Sequence, residues 1–504
     1  MKISFQGTIR IKNGRIGHLS EEPGFVRVIN EKESYYYSNS FALPGFTDSH
    51  GHLASLGSKL NGLDLYKCVS AEQCAVLGRE YNKLRGDWLV GLGWNQELWD
   101  NNLFPDKKIL DDYFPDIPVF FLRVDGHAAW VNTKALKFAK INKHTVNPTG
   151  GIIERAKNGE ATGILLDDAI EIVKKIIPKY SSAQVRENLV AAFDELIKFG
   201  ITSVHDMDVN PELISIFKGL DDENKIPLRI FSFIGGHQNE WLKHNVHPEN
   251  GKMFNIVGVK FYADGSLGSR TAAMLKDYSD EPGNKGIFLT KGNVLKNRIK
   301  KVLSMEMSVA THAIGDAANR MVLNVYKEIL NEKNYSGKAK LRLEHAQHIH
   351  PDDLKIFNEN PVIASVQPVH CISDAATISE KRLGDRCKYA YPWKSLIKNG
   401  ALMISGSDFP IETHNPWLGI DALTRRIPLG KQKSWFEKET LEVDEALNSY
   451  TKLPPLAIPS GNLNGKIEKE YLADLVIIDK EPINMKDFSQ INILSTIVNG
   501  ERIF

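Results

Sequence analysis

Eight short apolar runs constrain this chain more than any other feature; they lie at residues 41–47, 201–204, 228–234, 256–262, 307–311, 341–343, 362–366 and 402–404. Strands buried on both faces read as near-continuous apolar stretches, not as alternating ones. Helical periodicity fills several of the gaps. Val185, Leu189, Phe193, Leu196 and Ile197 recur at helical spacing after candidate caps at Ser181 and Ser182, and Gly200 sits where a helix C-terminal glycine belongs. Met321, Val322, Val325, Tyr326, Ile329 and Leu330 repeat the pattern between the fifth and sixth runs. Alternating strands and helices predict a parallel sheet, and eight strands favour a closed barrel over an open sheet.

Two regions do not belong to a plain barrel. Residues 60–180 separate the first two runs, too long for a simple connection, and contain strand-like pieces at 88–92 and 119–124. They predict an inserted subdomain. The chain ends carry further strand-like pieces at 3–11, 25–29, 474–478 and 493–498, which predict one small β-domain built from both termini. The expected division is therefore 1–40 with 455–504 as a composite β-domain, 41–60 with 181–454 as the barrel, and 61–180 as the insertion.

Composition excludes several functions. Apolar residues make up 42% and charged residues 25% of the 504 positions, an ordinary globular balance. The net charge of +1 leaves no global field for nucleic acid or an anionic membrane. Cys68, Cys74, Cys371 and Cys387 form no Cys-x-x-Cys pair, which speaks against a thiolate cluster or a disulfide scaffold. Arg10 and Lys12 arrive before any apolar stretch of signal-peptide length, and no stretch approaches the roughly 20 apolar residues of a membrane helix. The default expectation is a cytoplasmic protein without nucleic-acid or membrane partners, and a homodimer, since two-fold dimers are the commonest oligomers.

The chemistry-bearing residues gather at the ends of the runs. His50-Gly51-His52 follows the first; alternate residues of an extended chain point the same way, so both imidazoles can converge on one metal. Alone, His-x-His is more often two ordinary polar histidines. Here, however, His312 ends the fifth run, Glu344-His345 the sixth, and Ser407-Asp408 the eighth. Strand C-terminal ends are where barrel enzymes place their sites. Lys260 lies inside the fourth apolar run, where an unpaired charge is costly; it must be deprotonated, modified or paired with a carboxylate such as Asp264. His205 and Asp206 end the second run, as supporting groups or as satisfied core residues. Trp88, Trp94 and Trp99 make the insertion aromatic, more simply as a core than as a substrate wall.

With these residues in view, the chain resembles the amidohydrolase superfamily, and within it the family-3 amidohydrolases related to N-substituted formamide deformylases. The matching motifs are residues 44–52, Arg123 to Asn132, Gly150-Gly151-Ile152-Ile153-Glu154, residues 260–272, His312 to Asp316, Glu344-His345-Ala346-Gln347, Gly406-Ser407-Asp408 and Leu472 to Val476. The resemblance implies a distorted (β/α)8 TIM barrel beside a β-sandwich-like domain from both termini. It implies His50, His52, His312, His345 and Asp408 as ligands of a divalent metal, with zinc the first expectation and one or two ions per chain. Lys260 matches the position that many members carboxylate to bridge two metals. His348, His350, His370 and His414 also follow strand ends, but the resemblance assigns no ligand there.

The expected reaction is hydrolysis of a non-peptide carbon–nitrogen bond in a small molecule. A bound metal lowers the pKa of its water to about 7. Asp408 would carry the proton from that water to the departing nitrogen, and His312 or His345 would hold the carbonyl oxygen. Arg123 and His127 in the insertion, and Asp264 in the glycine-containing loop after the fourth run, are the candidate substrate contacts; the plain alternative for the first two is a surface salt bridge and a capped loop. An ester, lactone or phosphoester would suit the same site. A barrel that lost its reaction fits poorly, because every expected ligand position is filled.

Overall fold

The computed structural model describes residues 4–81, 83–100, 102–332, 337–459 and 463–504; Ile3, the start of the first strand-like piece, lies outside the described residues. The chain divides into two compact units, one of Met1–Leu53 with Ala192–Phe504, the other of Ala54–Ala191.

Eight parallel strands form the first unit's central sheet: β1 (Phe46–Gly51), β2 (Ile201–Val209), β3 (Arg229–Gly235), β4 (Phe254–Tyr262), β5 (Ser308–Ala313), β6 (Leu341–His345), β7 (Val362–Val366) and β8 (Leu402–Ser405). Each pairs with the next in chain order. The residues just past β8 return to β1 and nearly close the sheet. There, Asp408 N–H donates to the His50 carbonyl at 2.6 Å, and His52 N–H to the Phe409 carbonyl at 2.9 Å. Nearly every strand position is buried, as the continuous apolar runs require. The predicted helices form at Ser182–Ile197 and Asp316–Leu330, and Gly200 has a φ of +74°.

One run needs correction. Residues 41–47 are two strands in two sheets. Phe41–Pro44 pairs antiparallel with Leu475–Ile478, and only after Gly45 does the chain enter β1. Both sheets bury their residues, so hydrophobicity alone carries no mark at the crossing.

That second sheet continues through Ile493–Val498 and Glu501–Arg502, while Gly7–Lys12, Arg15–Glu21, Phe25–Ile29 and Ser34–Ser38 form a four-stranded sheet at the other terminus. Ile9, Ile16 and Val28 from one sheet share a core with Ala42, Leu475 and Ile497 from the other. Arg229 at the start of β3 donates to Asp474 through Nε at 2.7 Å and Nη2 at 3.2 Å, with both side chains buried.

The second unit holds a six-stranded sheet containing Leu89–Trp94, Val119–Arg123, Ala128–Val131, Gly151–Arg155 and Ala161–Asp167. Trp94 and Trp99 are buried there, with ring centroids 5.8 Å apart and Trp130 against both. The tryptophans are core, not an open wall. Among the described residues no helix is long and apolar enough to cross a membrane.

Candidate metal centre

The parallel register sets the strand ends level. His312 of β5 pairs with Glu344 of β6, and Ala313 with His345. The i, i+2 spacing of His50 and His52 turns both rings to one side, with centroids 5.5 Å apart. His345 stands 5.1 Å from His50 and 4.4 Å from His312, ring to ring. Asp408 completes the group: its Oδ1 is 3.0 Å from His52 Nε2 and 3.6 Å from His50 Nε2. The structure thus brings together His50, His52, His312, His345 and Asp408 from the end of β1 and the residue after it, β5, β6 and the segment after β8.

The backbone is shaped for this. His345 and Asp408 have φ of +70° and +61°, conformations that cost non-glycine residues about 1–3 kcal/mol and cluster at functional sites. Gly406 allows the closing segment to approach β1, since a Cβ there would lie 2.3 Å from the His50 nitrogen. Asp48 adds a tie: Oδ1 accepts the N–H groups of His50 and Ser407, both at 3.0 Å, and Oδ2 accepts the Ser407 hydroxyl at 2.6 Å.

These residues fit a divalent cation. His50, His345 and Asp408 each offer a ligand atom within 4.8 Å of the other two. His345 Nδ1 is buried and has no hydrogen-bond partner among the described residues, which leaves a ring nitrogen open to a bound ion. Burial pushes the His50 imidazole down to about 4 and His312 to about 3, and holds His345 well below the usual range. The neutral form so favoured is the one that ligates metal. Asp408 is kept ionised against its burial by His370 and His52.

A second tier supports the first. His50 Nδ1 is 2.7 Å from Glu344 Oε2. Arg342 donates to Glu344 at 2.8 Å, to His205 Nδ1 at 2.8 Å and to the Ser49 carbonyl at 2.7 Å. His205 is therefore a satisfied supporting group. Asp206 accepts the N–H of Leu53 at 2.9 Å. Glu344 and Arg342 were legible by the rule that singles out Lys260, because both are charges inside an apolar strand. His370, to which the resemblance assigns no ligand role, also reaches the centre: its Nε2 is 3.2 Å from Asp408 Oδ2.

Lys260 is buried on β4, with Nζ 4.8 Å from the Tyr262 ring centroid. Asp264, offered as its partner and as a substrate contact, has other bonds. It is fully buried and accepts the N–H groups of Ala273, Ile314 and Gly315 at 2.8, 3.0 and 2.8 Å. These bonds fit a carboxylate that anchors the loops after β4 and β5. The two insertion residues lie in the second unit. Arg123 is paired with Asp125 and donates to Gln96 at 2.7 Å and Asn95 at 3.1 Å, the salt-bridge alternative. The His127 side chain is 76% exposed, with Nδ1 2.8 Å from Asp167 Oδ1.

Comparison with known proteins agrees with this geometry. Residues 38–504 match the family described as the amidohydrolase family. The chain is 32% identical to the Bacillus subtilis protein named "Putative amidohydrolase YtcJ", over 94% of this chain and 91% of that one. It is 23% identical to the N-substituted formamide deformylase of Arthrobacter pascens, over 92% and 88% of the two chains. Its fold matches the crystal structure of an uncharacterized metal-dependent hydrolase from Pyrococcus horikoshii with a TM-score of 0.78 and 26% identity, covering 97% of this chain and 99% of that one. The histidine–aspartate cluster at the strand ends and a family match over nearly the whole chain lead to one conclusion: the chain belongs to the amidohydrolase family and is a metal-dependent hydrolase.

Proposed function

We propose that this enzyme hydrolyses a non-peptide carbon–nitrogen bond of amide or formamide type in a small molecule. The observation that carries the reading is the convergence of His50, His345 and Asp408 within ligand distance of one another. Its similarity to a formamide deformylase supports the bond type. His50, His52, His312, His345 and Asp408 would hold the metal, with zinc as the resident ion, and Lys260 would contribute as a carboxylate once modified. When bound, the metal supplies Lewis acidity toward the substrate carbonyl and toward water.

The chain's own residues do the rest. Asp408 accepts the proton of the attacking water and gives it to the departing nitrogen, a role for a carboxylate that stays ionised beside the reacting atoms. His312 or His345, whichever is not fully taken up by the metal, would hold the carbonyl oxygen of the substrate. Asp264 fixes the loops after β4 and β5 that border the strand ends. His127, with most of its side chain in solvent, is the better of the two insertion candidates for substrate contact. We carry the division into 1–40 with 455–504, 41–60 with 181–454, and 61–180 as part of this reading, with the two terminal sheets forming the small β-sandwich-like domain.

The test is a panel of N-formyl amines, N-acyl amines, esters, lactones and phosphoesters, assayed on metal-loaded enzyme. The reading requires the highest kcat/KM on an amide. A preference for esters or phosphoesters would overturn the bond assignment and keep the metal centre; weak esterase activity beside a stronger amidase would not.

A further inference from the structure

We infer that His370 is a positioning residue for Asp408, holding one carboxylate oxygen so that the other faces the histidine cluster; this rests on the metal-centred hydrolysis proposed above. The seventh strand ends at Val366, and Pro368 opens a short helix, Pro368–Asp374. Proline suits that first position because it needs no acceptor for an N–H. His370 follows within the first turn. Its Nε2 lies 3.2 Å from Asp408 Oδ2 and its Nδ1 lies 3.4 Å from Glu412 Oε1. Glu412 is fixed in turn, since Ser373, three residues after His370 on the same helix, donates its hydroxyl to Glu412 Oε1 at 2.6 Å. A continuous chain of contacts therefore runs Ser373, Glu412, His370, Asp408.

The consequence falls on the Asp408 torsion. An aspartate carboxyl rotates in a broad, roughly two-fold well, so one hydrogen bond leaves it free to exchange its oxygens. Asp408 has neighbours on opposite oxygens, the His370 ring on Oδ2 at 3.2 Å and the ligand nitrogen Nε2 of His52 beside Oδ1 at 3.0 Å. Oδ1 is also the oxygen 3.6 Å from His50 Nε2. The carboxylate is thus turned edge-on to the cluster before any substrate arrives. Groups that orient a metal-site carboxylate commonly matter by about 10- to 100-fold in affinity or activity.

His370 does not read as a further ligand. Both of its ring nitrogens face carboxylates, and its ring centroid is 6.2 Å from that of His345. Its side chain is 14% exposed, so the contact is shielded from water.

The experiment compares His370→Phe, His370→Gln and Glu412→Gln with the full-length wild type. Phenylalanine keeps a ring without a donor, whereas glutamine restores an N–H near Nε2. Three quantities are read: metal per chain, the visible spectrum of the cobalt-substituted protein, and kcat and KM on the best amide of the panel. His370→Phe should keep the wild-type metal content, alter the cobalt bands and lose about 10- to 100-fold in kcat with KM changed less than about twofold. His370→Gln should recover most of both. Glu412→Gln should shift both in the same direction by a smaller amount; should His370→Phe not fold, this variant carries the test, and wild-type behaviour from it overturns the inference. Wild-type spectrum and kcat in His370→Phe would also overturn it, as would equal impairment in the phenylalanine and glutamine variants, which marks plain packing. Loss of metal in His370→Phe would make His370 a ligand and likewise sink the positioning role. If the wild type hydrolyses no amide, the proposed reaction fails, while the cobalt spectra still decide the place of His370.

Discussion

His50 on the first barrel strand and Glu344 on the sixth meet across the barrel with 2.7 Å between Nδ1 and Oε2, both side chains withdrawn from solvent. The contact fixes the ring: Nδ1 carries the proton toward the carboxylate, and Nε2 is left as a lone pair facing Asp408. Burial alone would raise the Glu344 carboxyl, but the Arg342 guanidinium and His50 outweigh it and hold it well below the usual range. Glu344→Gln keeps the shape and removes the charge. Metal affinity should fall about 10- to 100-fold, read by competition with a chromogenic chelator. Unchanged affinity would mean that the tautomer of His50 is set by something else.

Asp408→Asn separates metal binding from proton transfer. The amide keeps one oxygen for the cation and loses the basic site. Metal per chain should stay near the wild-type value, while kcat on the best substrate falls about 10²- to 10⁴-fold. Near-wild-type turnover would rule out Asp408 as the proton carrier.

Much of this arrangement could be read before any coordinates. The barrel was legible because strands covered on both faces leave continuous apolar runs. The His50–His52 pair was legible because an extended chain alternates its side chains. What escaped was of three kinds. The split of residues 41–47 at Gly45 was hidden because both sheets bury their residues. The Glu344–Arg342 support was visible as charge within an apolar strand but became meaningful only once β6 faced β1. His370 was hidden by distance, since 38 positions separate it from the Asp408 it touches. Asp264 shows what a loop carboxylate beside a glycine hides from the sequence: its oxygens accept backbone N–H groups.

On the proposed reading, Lys260 would decide how many metals the centre holds. Lys260 is buried on β4 near the charges of Glu344 and Asp408, and in the proposed reading it would serve as a bridging carboxylate once modified by carbon dioxide. Wild-type protein prepared without chelator in bicarbonate buffer should contain about two equivalents of metal per chain, as two-metal hydrolase sites require. Lys260→Arg should contain about one, with an intact mass that shows no added carboxylate. One equivalent in both proteins would remove the bridge and leave a mononuclear centre. No metal in either, even after reconstitution with zinc, manganese or iron, would overturn the proposed ligand set.

Asp474 tests how the first unit is held together away from the metal. It reaches Arg229 at the start of β3 with two hydrogen bonds, at 2.7 and 3.2 Å, and accepts the N–H of Asn499 at 2.9 Å. The two side chains are only 7% and 2% exposed. Asp474→Ala would leave the Arg229 guanidinium buried without its counter-charge, and one backbone N–H without its acceptor. Breaking a buried pair on one side costs about 3–5 kcal/mol. The double variant Arg229→Met/Asp474→Ala removes both charges, so it should recover much of that loss, because the cost lies in the stranded charge more than in the missing attraction. Denaturant unfolding followed by intrinsic fluorescence reads the difference. Single and double variants of equal stability would show that the pair contributes through packing alone. Retained metal content in both variants would place the effect in the β3–terminal-sheet contact and not in the distant histidine cluster.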